Sequence, residues 1–165
     1  MSEPVFSIVR WSATSGTERS SRASIALAGA GRTWRASAVG NGAVDALMRA
    51  ADLALQSVLE PGIELESYEV HASGHGHGAS AFVKVQIQYL DGSRDGWYRG
   101  EGEHANVLEA SLLAYIDAIG ALVSDRGIDV AAAAPAPGHT SLPPRNDDDD
   151  TRRRHGEHMT SLYNR

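Results

Sequence analysis

The side chains in this chain that could do chemistry gather in a few places. His71, His75 and His77 share parity in an extended segment, so all three could meet one metal ion. Gly74, Gly76 and Gly78 leave that loop without the preorganisation a ligand set needs, so the expectation is solvated histidines and no metal. His104 follows Gly100-Glu101-Gly102, where Glu101 and Glu103 have the chemistry of a general acid and base. Two acids ahead of a helix are equally explained by the helix dipole. Ser111 sits between Ala110 and Leu112 without the sharp elbow that exposes a nucleophile, and reads as a small residue for close packing. The remaining feature is a second glycine corner, Gly40-Asn41-Gly42. Glycine at a helix start exposes N–H groups that attract a carboxylate or phosphate, or merely permits a tight turn. Neither corner has the third glycine or the βαβ setting of a dinucleotide fingerprint.

These residues must be positioned by two similar units. With no gap, Ile25 and Leu27 align with Val85 and Ile87, and Gly40 with Gly100, at an offset of 60 residues; on into the helices, Leu47 and Met48 align with Val107 and Leu108. Each unit reads as three strands and a helix. In the first, Val5 to Ala13, Arg22 to Ala28 and Arg32 to Val39 alternate as strands, with Gly29-Ala30-Gly31 turning a hairpin. A helical stripe of Val44, Leu47, Met48, Ala51, Leu55 and Val58 follows, stopped by Pro61-Gly62. In the second, Glu64 to Ala72, Ser80 to Leu90 and Ser93 to Arg99 are strands, Asp91-Gly92 is the hairpin turn, and a helix runs from about Ala105 to Val123. The expected fold class is therefore α+β: duplicated βββα units, each a three-stranded antiparallel sheet with one helix, related by a pseudo-two-fold. Repeat one covers about 5–60 and repeat two about 64–125, in one domain over 1–130. The second helix is apolar on two faces, and one sheet covers one of them, so a second subunit is expected on the other, making a homodimer.

Composition narrows the partners. The formal charge is −6, the one lysine is Lys84, and Ala131 to Arg165 carries five arginines against five acids, so the whole −6 falls on residues 1–130. No basic face emerges for phosphates, and nucleic acid is not an expected partner. The chain has no cysteine, which removes thiol chemistry, disulfides and Cys-type zinc sites and fits a cytoplasmic setting. Met1 to Trp11 lacks the pattern of a signal peptide, and no membrane partner is expected. The alanine-, proline- and charge-rich stretch over 131–165 reads as a disordered low-complexity tail.

Several spaced motifs resemble the C-terminal regulatory domain of the α-isopropylmalate synthase and citramalate synthase family. They are Gly40-Asn41-Gly42-Ala43-Val44-Asp45-Ala46-Leu47, then Tyr68-Glu69-Val70-His71-Ala72 with Gly76, Ala79, Val83 and Val85, then Gly100-Glu101-Gly102, Asn106-Val107, Glu109-Ala110-Ser111 and Ala114-Tyr115. The resemblance runs from about Phe6 to Val123. It implies a dimerising βββα duplication that binds an end-product amino acid, leucine or isoleucine, at the dimer interface and inhibits a separate catalytic barrel. By position it implies effector-lining residues Gly40, Gly42, Ala43, Val44, Asp45, Tyr68, Ala72, Ala79 and Ala81. The chain departs from the family pattern at Ala43, Gly78 and Asn106, where proline, aspartate and aspartate are usual. The 165 residues leave no room for a barrel of about 250 residues. The reading is therefore a stand-alone, non-catalytic domain with no cofactor. It binds a branched-chain amino acid and acts on a separate synthase barrel subunit. The alternative is a scaffold recruited as a small-molecule enzyme through His71, His75, His77 or His104.

Overall fold

The computed structural model describes residues 3–134, so the tail expected over 131–165 lies almost wholly outside the described residues. The element order is β1 (Ser7–Gly16), β2 (Arg19–Gly29), β3 (Arg32–Gly40), α1 (Ala43–Ala54), β4 (Ile63–Ser73), β5 (Ser80–Tyr89), β6 (Trp97–His104) and α2 (Val107–Arg126). Two antiparallel sheets result, β1-β2-β3 and β4-β5-β6, each crossed by the helix that follows it. The α+β duplication read from the sequence is present.

Alternation decides which face each sheet buries. In the first sheet Ala23, Ile25, Leu27, Trp34 and Ala38 point to α1; in the second Val83, Val85, Ile87, Tyr89 and Tyr98 point to α2. The polar partners Lys84, Gln86 and Arg99 line the outer face, where Arg99 Nε donates to Gln86 Oε1 at 2.9 Å. Even a bulge is duplicated: the register slips between Ile8 and Arg10 in β1 and between Leu65 and Ser67 in β4.

The offset between the units is not constant. It is 60 residues from β2 to β5, but the second hairpin is longer. Gly29 pairs directly with Arg32, whereas Tyr89 meets Gly96 across Leu90 to Asp95, which adds four residues. From there the offset is 64, and Gly42 corresponds to Asn106. Adding 64 to the buried residues of α1 (Ala46, Leu47, Met48, Ala50, Ala51, Ala54) returns Ala110, Ser111, Leu112, Ala114, Tyr115 and Ala118, all buried in α2. The ungapped alignment is thus one helical turn out of register in both helices. A four-residue slip brings nearly the same helix face round again, so the apolar stripe does not reveal it.

This corrects the reading of Gly100-Glu101-Gly102 as a helix-start corner. Gly100 and Gly102 are inner-face residues of β6, and α2 lies directly on them. A Cβ on Gly100 would strike the Ala114 carbonyl and the Ala118 amide; one on Gly102 would strike the Ala110 carbonyl and the Ala114 amide. Glu101 and Glu103 therefore point to the outer face, where Lys84 lies 3.8 Å from Glu101. The longer hairpin is held by Arg126 at the end of α2, which donates to Tyr98 Oη at 2.6 Å and Ser93 Oγ at 2.7 Å and pairs with Asp91 at 3.1 Å.

The helices also differ from expectation at their ends. α1 stops at Ala54, but Leu55, Val58 and Leu59 stay buried in hydrogen-bonded turns. α2 continues past Val123 to Arg126, and Gly127 ends it in the left-handed region at φ 60°. By length and composition α2 is also long and apolar enough to cross a membrane, but here it is the central core helix. Its second apolar face is covered within the chain, by α1 and by the segment around Val5, whose side chain lies beside Gly120. That face therefore does not require the second subunit expected on it.

Replacing Gly100 with alanine is expected to lower unfolding free energy by about 3 kcal/mol or prevent folding, because both obstructing atoms are helix backbone. Gly16→Ala, with open space around it, is expected to stay within about 0.5 kcal/mol. Urea denaturation of both variants checks the pair.

Candidate functional site

Contacts between the two units fall at matching levels of the helices. Trp11 in β1 donates its indole N–H to Glu109 in the first turn of α2. Tyr115, midway along α2, donates to Asp52 Oδ1 in the last turn of α1 at 2.6 Å, and Val5 reaches Gly120 further on. The helices therefore run side by side in one direction, with both N-termini at one end of the molecule.

Those N-termini differ. α2 is capped: Asn106 Oδ1 accepts from the Leu108 amide at 2.9 Å, the Asn106 amide donates to His104 Nδ1 of β6 at 3.0 Å, and Glu109 takes the Trp11 indole from β1. At α1 the equivalent of Asn106 is Gly42, which has no side chain to cap with. The first intrahelical bond runs from the Ala46 amide to the Gly42 carbonyl at 2.9 Å, so the N–H groups of Ala43, Val44 and Asp45 precede the ladder. Gly40 lies beneath this turn; a Cβ there would come within 2.5 Å of the Ala46 amide and of Asp45 Oδ2. The Asp45 carboxylate accepts from the Asn41 amide and Arg49 Nε, both at 2.9 Å. Partial burial alone would raise Asp45, but these bonds outweigh it and hold the group below the ordinary carboxylate range.

The second set of expected residues lies on the inner face of the other sheet. Tyr68 in β4 is in register with Val85 and Gly100; Ala72 and Ala81 form a row with His104. Ala79 closes the preceding loop, its amide donating to the Gly76 carbonyl at 3.2 Å. The Tyr68 hydroxyl meets Ser111 Oγ at 2.7 Å, and Ser111 in turn donates to the Val107 carbonyl at 2.6 Å.

The duplication relates the two sets. Tyr68 is the equivalent of Trp11, since they pair with Val85 and Ile25, and Asp45 is the equivalent of Glu109. Trp11 and Glu109 touch across the two units; the equivalent contact would join Tyr68 to Asp45 in the first turn of α1. That contact is left unmade, because Tyr68 turns back to Ser111 on its own helix. Val70, on the same inner face of β4, is 44% exposed. Further along, a cavity of about 610 Å³ opens between the last turns of α1 and the start of β4, lined by Asp52, Leu53, Gln56, Pro61 and Ile63 among others.

The histidines do not form a second centre. His71 is on the outer face beside Glu69, His75 and His77 are exposed in the loop, and His104 belongs to the α2 cap. Among the described residues no three His, Asp or Glu side chains gather where one metal ion could be held.

A family model for the LeuA allosteric (dimerisation) domain matches residues 2–123. The chain belongs to that family. Similar proteins include the 2-isopropylmalate synthase of Xanthomonas campestris pv. campestris (strain B100), 36% identical over 99 residues, 60% of this chain and 18% of that protein. The 2-isopropylmalate synthase of Geobacillus sp. (strain Y412MC10) is 28% identical over 114 residues, 69% of this chain and 20% of that protein. The chain thus spans about a fifth of the length of these relatives.

Sequence reasoning on this LeuA-type domain missed two side chains. Ser111, set aside as a packing residue, anchors Tyr68; a hydroxyl buried in an otherwise apolar stripe was the available signal. The second is Asp52, a charged residue opposite the apolar stripe of α1. Burial pushes its carboxyl up to about 6, against the hydrogen bond from Tyr115. Burial and the Asp52 charge push the Tyr115 phenol up in turn.

A raised carboxyl favours the fold while protonated, and that contribution is lost as pH rises from about 3.8 through about 6. Asp52→Asn keeps an acceptor for Tyr115 and removes the desolvated charge. It is expected to be more stable than the parent by about 3 kcal/mol at pH 7 and equal to it below about pH 4. Thermal denaturation of both proteins across that range is the check.

Proposed function

We propose that this domain is non-catalytic. It binds a branched-chain α-amino acid between the first turn of α1 and the inner face of β4, and a second copy of the chain closes over the site. The observation that carries the reading is the unmade contact: the duplication closes one side through Trp11 and Glu109 and leaves the equivalent side open. The chemistry of the open side suits such a ligand. The uncapped N–H groups of Ala43, Val44 and Asp45, at the positive end of the helix dipole, favour a carboxylate. Ala43, Ala72, Ala79 and Ala81 leave room for a branched chain beside Val70, where one methylene is worth about 1–3 kcal/mol of discrimination. The apolar inner face of edge strand β4 gives a second copy something to cover. The family description and the synthase relatives support a regulatory role toward a synthase catalytic unit.

Titration calorimetry against leucine, isoleucine and valine is expected to give saturable heat with at least one, and light scattering to give twice the chain mass. No heat with any of the three sinks the ligand assignment. A chain mass in the presence of ligand sinks the closing copy.

A further inference from the structure

The hydrogens between Tyr68 and Ser111 can be assigned from the oxygens alone. The Val107 carbonyl has no proton to give, so the 2.6 Å contact with Ser111 Oγ requires the Ser111 proton. A serine hydroxyl has one proton, so in the 2.7 Å contact with Tyr68 it must accept. The Tyr68 proton is thereby committed to Ser111. Whatever else meets the Tyr68 oxygen meets lone pairs and no donor. Ser111 is 1% exposed in the core helix, so this orientation is held rigidly, whereas Tyr68 itself is only partly buried on the open inner face of β4. The first unit cannot reproduce the arrangement. There tryptophan stands in place of Tyr68, a donor only, and Leu47 in place of Ser111. The acceptor therefore exists once per chain, on the side left open.

We propose that Ser111 is a positioning residue that makes the Tyr68 hydroxyl an acceptor only, so that the site selects ligands presenting an N–H donor at C2, an α-ammonium, and rejects the 2-oxo acid of the same skeleton. This rests on the amino-acid reading above. A 2-oxo group offers only a carbonyl oxygen, which would face the Tyr68 lone pairs with no proton between them. An ammonium donates a charge-assisted hydrogen bond to the same oxygen.

The test compares leucine with 4-methyl-2-oxopentanoate by calorimetry on the wild-type chain, Ser111→Ala and Tyr68→Phe. In Ser111→Ala the Tyr68 proton is freed to turn into the site. Affinity for the 2-oxo acid is expected to rise while that for leucine falls, narrowing the preference by about tenfold. In Tyr68→Phe leucine is expected to weaken by a similar factor while the 2-oxo acid gains affinity, because the lone pairs that oppose its carbonyl are removed. Leucine binding with both ligands weakened in parallel in either variant overturns the role of Ser111 and leaves the amino-acid reading standing. Absence of leucine binding to the wild-type chain overturns that reading and this inference together. Tyr68→Phe decides the matter alone if Ser111→Ala does not fold.

Discussion

The hydrogen bond from Tyr115 to Asp52 joins α1 and α2 at matching levels, and most of the architecture follows from that parallel pairing. Two amphipathic βββα layers each have one helix to cover, and neither sheet is wide enough to enclose its own helix completely. Setting the helices side by side lets each cover the other's second face, which is why α2 can be apolar nearly all round without a partner subunit on it. The same pairing brings both helix N-termini to one end of the molecule and lets Trp11 of β1 reach Glu109 on the helix of the other unit. The pairing has an electrostatic cost, since a largely buried carboxylate sits in the contact between helices and the Tyr115 phenol and nearby Arg49 charge offset its desolvation only in part.

Duplication followed by divergence then makes the two sides unequal in a chemically specific way. On one side the cap residue is Asn106, the first-turn acid Glu109 takes the Trp11 indole, and the helix end is closed. On the other, the same positions hold Gly42, Asp45 and Tyr68, and each change opens the site. Gly42 removes the cap. Asp45 is occupied by Asn41 and Arg49, and the Tyr68 hydroxyl is tied to Ser111. A fully symmetric duplication would have closed both sides. The functional reading proposed here is that the difference between them is the binding site.

Much of the fold was legible in the sequence because both of its periods are strong. Alternation over Ala23 to Leu27 and Val83 to Tyr89 marked the central strands and their buried faces, and glycine turns marked the hairpins. The register of the repeat was not legible. The insertion that shifts it lies in a polar hairpin, and its length is close to one helical turn, so the aligned helices still matched apolar on apolar. For that reason Gly100 and Gly102 were mistaken for a corner, although their need for glycine comes from the close approach of α2. The candidate site was legible only as two separate groups of residues. What relates Gly40 to Asp45 with Tyr68 is the equivalence of Trp11 to Tyr68 and Glu109 to Asp45, which depends on the corrected register. Ser111 was passed over because a serine within a packed helix has two roles, spacer and hydrogen-bond partner, that sequence does not separate.

The central claim is that the start of α1 and the inner face of β4 form one open site while the start of α2 is closed. The most direct measurement is a leucine titration followed by backbone amide shifts in ¹H–¹⁵N spectra of the isotopically labelled chain. The account predicts saturable shifts at Gly42 to Ala46 together with Tyr68 to Ala72, and small changes at Asn106 to Glu109. Shifts confined to the histidine loop, or centred on the start of α2 with Ala43 to Asp45 unmoved, would contradict it.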